Sequence, residues 1–344
     1  MCMNETGKTK TLMDRIARWR TNLIWIVVVF IALYVFVCGI ACIPWDTILL
    51  AIKDRVSGGF FHIMGFYTYN IISILILFLL TWLIRSDRYI WKSFLLPRKP
   101  AEPAADESDI LADYYGRGRN SFKMLGWGAL IGCLTNGFAI ACALIHGDIK
   151  LYFESSVRQI PLLLFALFSV GIQSASEEMW CRGYLYERIH ERYPLWVAVA
   201  VNGILFGALH AFNKGASVYS VLQIAVCGIS YSLLRWYAGN IWIVIGAHTA
   251  WNYTQAFLFG LPNSGLVSEI SVFHLDASTG ISNLFYDFAF GVESCLPALF
   301  VDTMIGVVVI ILAARSGRLK ELKMNRVKAM GETVTDQIPS SSKV

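Results

Sequence analysis

The chain has 344 residues, of which 56% are hydrophobic and 15% charged, with a formal net charge of +5. A soluble domain carries about 25% charged residues, so this composition excludes an ordinary soluble protein and indicates an integral membrane protein. The apolar runs are continuous and do not alternate in blocks of about ten residues, which favours helices over a β-barrel. No basic patch with interleaved aromatics is present, so no nucleic-acid partner is expected.

The predicted fold is all-α: a polytopic membrane protein of about eight transmembrane helices, at 23–43, 60–84, 122–145, 160–180 with a longer helical tail, 195–212, 218–234, 241–259 and 296–314. The first run is too long for a signal-peptide core and follows a basic head (Lys8, Lys10, Arg15, Arg18, Arg20), so a retained anchor is expected. With a cytoplasmic N-terminus, the outer segments hold five cations, Lys53, Arg55, Lys150, Arg158 and Lys214, which leaves 24 of the 29 Lys and Arg inside. The outer 260–295 loop has no cation, against Glu269, Asp276, Asp287 and Glu293. This asymmetry follows the positive-inside rule and places both termini in the cytoplasm. A bacterial plasma membrane is the expected location.

Residues 1–84 read as a basic N-terminus with an entry pair of helices. A stretch at 85–120, with Pro97, Pro100, Pro103 and the run Asp106-Glu107-Ser108-Asp109, reads as a cytoplasmic linker. A six-helix membrane body follows at 121–314, and then a basic, Ser-rich tail at 315–344 that reads as disordered. No internal repeat is evident, which weakens a transporter reading. The eight cysteines are scattered without CxxC spacing, so neither a disulfide framework nor a zinc knuckle is indicated.

The fourth apolar run carries the most informative residues, Glu177 and Glu178, since ionisable groups at membrane depth mark function by default. On a helix Glu178 and Arg182 are four apart and face the same way, acid first, the better orientation for an ion pair. Such a pair serves equally well to join helices. Glu177 is rotated by about 100° onto a face with Gln173, Ser174 and Cys181, none of them cationic. It is the acid free to act as a general base. Tyr193-Pro194 is the natural turn to the fifth run; Glu177 lies 17 residues before Pro194 and His210 lies 16 after it. At ~1.5 Å per residue the two side chains reach nearly the same height in an antiparallel hairpin. His248 and Asn252 share one face of the seventh run. An Asn beside a His suits stabilisation of a developing oxyanion, because its amide donates without titrating. Asn136 and Asp302, also in apolar runs, are expected to be local hydrogen-bond partners, Asp302 near enough to the outer interface to be hydrated.

These residues resemble the three motifs of the CPBP intramembrane proteases, the CAAX protease and bacteriocin-processing group: Glu-Glu-x-x-x-Arg at Glu177–Arg182, Phe-x-x-x-His at Phe206–His210 and His-x-x-x-Asn at His248–Asn252. Gly183, Leu185 and Trp242 extend the resemblance, which covers about 160–259. It implies hydrolysis of a peptide bond in a membrane-associated protein or peptide, in a cavity between helices open toward the cytoplasm. Carried over, Glu177 activates the attacking water, His210 helps to hold it, His248 and Asn252 stabilise the oxyanion, and Glu178, Arg182 and Phe206 support the site. No cofactor is expected in this scheme. The alternative is a zinc enzyme with Glu177, His210 and His248 as ligands and an open fourth position. A second alternative is a non-catalytic membrane protein serving bacteriocin self-immunity, scaffolding or transport. Substrate identity and oligomeric state are not legible in the sequence.

Overall fold

The computed structural model describes residues 22–53, 57–83, 121–190, 192–276, 278 and 282–319. The basic head, the 85–120 linker and the tail beyond residue 319 lie outside the described residues.

The elements follow the predicted apolar runs. Helix α1 spans Leu23–Ile52, α2 spans Gly58–Ile63, and α3 spans Asn70–Leu83, with a π-helical turn at Met64–Thr68 between the last two. Helix α4 (Phe122–His146) starts on the Ser121 side chain, which accepts from Met124 N–H, and ends at Gly147 in the left-handed region at φ 88°. Helix α5 (Ile160–Glu178) runs through a π-helical segment, Met179–Leu185, into α6 (Tyr186–His190). Pro194 caps α7 (Leu195–His210), as the Tyr193-Pro194 turn predicts. Helix α8 (Val218–Ala238) is held at its start by a reciprocal Ser217–Ser220 capping box and ends at Gly239. Helix α9 (Trp242–Tyr253) widens into a π turn at Thr254–Leu258, and α10 spans Leu296–Arg315. The short strands β1 (Leu151–Phe153) and β2 (Phe273–Leu275) pair antiparallel.

Each of the eight predicted runs therefore carries helix, but the helices are unequal. Among the described residues, four are long and apolar enough to cross a membrane: Phe122–His146, Val157–His190, Val218–Ala238 and Leu296–Arg315. Leu23–Gly39, Asn70–Leu79 and Leu195–His210 are apolar but shorter. The protein is mostly helical and integral to the membrane. Lipid supplies no hydrophobic drive between helices, so close packing must come from small residues. The α4–α9 contact is built this way. A Cβ on Gly128 would sit 1.9 Å from the Ile243 carbonyl oxygen, one on Gly132 would sit 2.1 Å from that of Ala247, and one on Gly246 would sit 2.2 Å from that of Leu125. Backbone meets backbone, and α9, which carries His248 and Asn252, is held rigidly against α4.

The 259–295 segment is not a simple loop. Leu261, Tyr286 and Val292 are buried in one apolar cluster with Ala139, Ile140 and Ala143 of α4, Trp251 of α9 and Val301 of α10. Its backbone is tied down by Val272 N–H donating to Phe257 O (3.0 Å) and Leu296 N–H donating to Leu284 O (2.9 Å). Asp302, expected at a hydrated interface, is instead buried at 1% exposure, and its Oδ2 accepts from Gln223 Nε2 at 2.5 Å. An unpaired carboxylate there would be costly, so Gln223 supplies the donor that water was expected to give. Asn136 is the local partner expected, donating to Gln255 Oε1 at 2.9 Å and accepting from Thr254 Oγ1 at 2.8 Å.

Substituting Gly132→Leu is expected to prise α4 from α9 and lower stability by about 1–3 kcal/mol, read as a fall in the unfolding temperature of the detergent-solubilised protein. Gly137→Leu on the same helix, where a Cβ would meet nothing within 4 Å, should leave that temperature unchanged.

Candidate active site

Burial of Glu178 and Arg182 dictates the geometry here. Both side chains are 0% exposed, and Arg182 Nη1 lies 3.1 Å from Glu178 Oε1 across one helical turn. The guanidinium also stacks on Phe206, with Cζ 3.9 Å from the ring centroid. The same Glu178 oxygen meets His248 Nδ1 at 2.9 Å, so α5 fixes a ring carried by α9. That link is a finding beyond the sequence reading, in which Glu178 simply balanced Arg182.

In the π-helical segment after Glu178 the Cys181 carbonyl accepts from Tyr186 N–H, five residues on, and Asn202 Nδ2 of α7 donates to the same oxygen at 2.5 Å. Asn202 in turn accepts from Ser232 Oγ of α8 at 3.0 Å. A widened turn of this kind is common at functional sites, and here it joins three helices beneath the acids.

Glu177 faces a different environment. Its Oε1 accepts from Gln173 Nε2 at 2.5 Å, and its Oε2 has no hydrogen-bond partner in the protein. Two imidazole nitrogens approach that oxygen, His210 Nε2 at 4.0 Å and His248 Nε2 at 3.9 Å. The three side chains are 18%, 14% and 12% exposed, in contrast to the closed pair beneath them. The equal height of Glu177 and His210, argued from residue counting, is realised. His210 Nδ1 sits 2.8 Å from the Phe206 carbonyl, which can only accept, so Nδ1 carries the proton. In the neutral ring the Nε2 lone pair then faces Glu177. Polar groups about 4 Å apart are spaced for one bridging oxygen and not for a direct bond.

Phe206, His210, His248 and Asn252 line one cavity with Gln223, Cys227, Tyr231, Ser264 and Glu293. The structure thus gathers Glu177, Glu178, Arg182, Phe206, His210, His248 and Asn252 as expected. Gln173, Asn263 and Glu293 were not anticipated. Gln173 bonds both Glu177 and Asn252, its Oε1 accepting from Asn252 Nδ2 at 3.2 Å. Its position four residues before Glu177 was the available signal. Burial pushes the Glu293 carboxyl up to about 7, against the lowering effect of two donors from Ser264 and of nearby His248. As zinc ligands, Glu177, His210 and His248 would need their donor atoms about 3.4 Å apart. Among the described residues no group of three His, Cys or carboxylate side chains converges closely enough to hold a metal.

Comparison with known proteins agrees with the motif reading. Residues 158–254 match the family described as type II CAAX prenyl endopeptidase Rce1-like. The uncharacterized protein YyaK of Bacillus subtilis (strain 168) is 33% identical over 114 residues, which cover 31% of this chain and 38% of YyaK. The chain therefore spans well under half the length of that relative. The matched segment contains Glu177, Arg182, His210, His248 and Asn252; Asn263 and Glu293 fall outside it.

Arg182→Ala would strand Glu178 as a buried charge and is expected to cost about 3–5 kcal/mol, seen as lost accumulation in membranes or a lowered unfolding temperature. Replacing the pair together, Glu178→Met with Arg182→Met, should recover most of that stability.

Proposed function

We propose that this chain, whose residues 158–254 belong to the CPBP/CAAX protease family, is an intramembrane endopeptidase that hydrolyses a peptide bond of a membrane-associated protein or peptide with a glutamate-activated water. The observation that carries this reading is the unpartnered Glu177 Oε2 with two imidazole Nε2 atoms at 3.9 and 4.0 Å. A water seated among these three groups donates to Glu177 Oε2 and to the His210 lone pair. Its own lone pair is then left for the scissile carbonyl. Glu177 takes the proton as general base. The negative charge that develops on the carbonyl oxygen is met by the Asn252 amide and by Nε2–H of a doubly protonated His248, whose Nδ1–H is held by Glu178. Glu178 holds His248 through Nδ1, so the ring presents Nε2 without rotating, and Phe206 separates the buried guanidinium from the cavity.

We read the location of the mouth from the elements that line the cavity. His210 ends α7, Gln223 and Cys227 lie in the first half of α8, and Ser264 and Glu293 come from the 259–295 segment. The charge count puts that segment outside, so the expected outer loop and the expected cytoplasmic opening pull apart. We place the opening on the outer side, with the segment.

Glu177→Gln or His210→Ala is expected to reduce cleavage by about 10²–10⁴-fold with normal membrane insertion. Comparative mass spectrometry of cells expressing wild type or Glu177→Gln should show the uncut peptide accumulating only in the variant. Equal peptide profiles would sink the assignment of Glu177. Loss of activity on chelation, with stoichiometric metal in the purified protein, would transfer the reading to a zinc enzyme. Lys214, exposed four residues beyond His210, tests the mouth: Lys214→Cys in intact cells should react with an impermeant maleimide above the wild-type level. Labelling confined to permeabilised cells would place the opening in the cytoplasm.

A further inference from the structure

Between α9 and α10, Asn263-Ser264-Gly265-Leu266 forms a tight hairpin closed by Asn263 N–H to Leu266 O (2.8 Å) and Leu266 N–H to Asn263 O (2.9 Å). Ser264 adopts φ 49° and Gly265 φ 87°. The left-handed conformation is unfavourable for a non-glycine residue, and strain of this kind gathers at functional sites. The hairpin is pinned at both ends. A Cβ on Gly265 would sit 2.0 Å from the Lys214 carbonyl oxygen, and Gln255 Nε2 donates to Pro262 O at 2.6 Å. The strained turn aims Ser264 N–H and Oγ at Glu293 Oε2, at 2.6 and 2.9 Å. Asn263 Nδ2 donates to Glu293 Oε1 at 2.8 Å and to Asn252 Oδ1 at 3.3 Å.

An asparagine amide can sit either way round, and only its partners decide which end is the donor. In its ionised form Glu293 only accepts, and with Oε2 already taking both Ser264 donors it forces the Asn263 amide to present its NH₂ to Oε1. Asn263 then has only donors to offer, so Asn252 must turn Oδ1 toward it. That leaves Asn252 Nδ2 on the other side, donating one hydrogen to Gln173 and keeping one for the cavity. Gln173, its oxygen thus engaged, must donate to Glu177. One choice at Glu293 therefore sets every amide between it and the general base.

We infer that Asn263 and Glu293, both outside the family-matched segment, are positioning residues that hold the Asn252 amide with its donor toward the reacting carbonyl. The inference rests on reading Asn252 as the oxyanion donor. It calls for a double-mutant cycle on purified protein, using as substrate the peptide that accumulates in Glu177→Gln cells. Asn263→Ala should lower kcat by about 10- to 100-fold, short of the full loss of an oxyanion donor, with KM within about twofold. In an Asn252→Ala background the same substitution should change kcat by less than about twofold, because the group it orients is gone. A loss of the same size in both backgrounds, or none in either, overturns the inference. Where Asn263→Ala fails to insert, Glu293→Gln, of the same shape, takes its place in the cycle with the same expected outcomes. If wild type and Glu177→Gln cleave alike, the functional reading itself has failed, and the inference falls with it.

Discussion

One oxygen governs the arrangement. Glu178 Oε1 lies 3.1 Å from Arg182 Nη1 and 2.9 Å from His248 Nδ1, deep in the helical body. Taking a carboxylate and a guanidinium out of water is expensive, and a pair of hydrophobic residues would often be at least as stable. The pair is therefore weak evidence for stability. Its use here is directional: a buried carboxylate with two fixed donors accepts His248 in one orientation only. Helices α5 and α9 also pack against each other, but apolar contact between them would leave the ring free to turn. The ion pair makes its position a consequence of electrostatics.

Four acids in and around the site, Glu177, Glu178, Glu293 and Asp302, are held in different ways. Glu178 is matched by a cation, Asp302 by an amide from Gln223, and Glu293 by an amide and the two donors of Ser264. Each of those three is 6% exposed or less. Glu177 has one oxygen satisfied by Gln173 and the other without a protein partner, at the wettest of the four positions. Glu178 Oε2 and Asp302 Oδ1 also lack a hydrogen-bond partner, so what sets Glu177 apart is its greater exposure and the two imidazoles that face its second oxygen.

Local spacing made much of this legible in the sequence. The i,i+4 pair of Glu178 and Arg182, the antiparallel match of Glu177 with His210, and the common face of His248 and Asn252 follow from 3.6 residues per turn and a turn at Tyr193-Pro194. What escaped depends on contacts distant in sequence. Nothing in a helical wheel joins Glu178 to His248, 70 residues on, and nothing marks Asn263 or Glu293 as neighbours of Asn252. Glu293 was counted only as a charge in an outer loop, because an acid in a polar segment carries no sign of burial. Asp302 was misjudged for a related reason: its donor comes from α8, which pattern alone does not place beside α10.

The unequal helices bear on how polar groups come together at such a depth. Helix α7 has 16 residues and α9 has 12 before its π turn, so α7 is about 24 Å long against a hydrocarbon core of about 30 Å. Non-helical backbone is tolerated at membrane depth only where protein buries it or where it lines a water-filled cavity. The described part of the 259–295 segment is partly buried in protein and partly lines the cavity. Leu261, Tyr286 and Val292 are buried against α4, α9 and α10, while Ser264 and Glu293 line the cavity beside His210. Had α7 and α9 spanned the full thickness, His210 and Asn252 would lie between lipid-tight helices with no polar backbone nearby. Their early termination leaves room for the polar residues Ser264 and Glu293 beside His210 and Asn252, which suits the proposed hydrolysis.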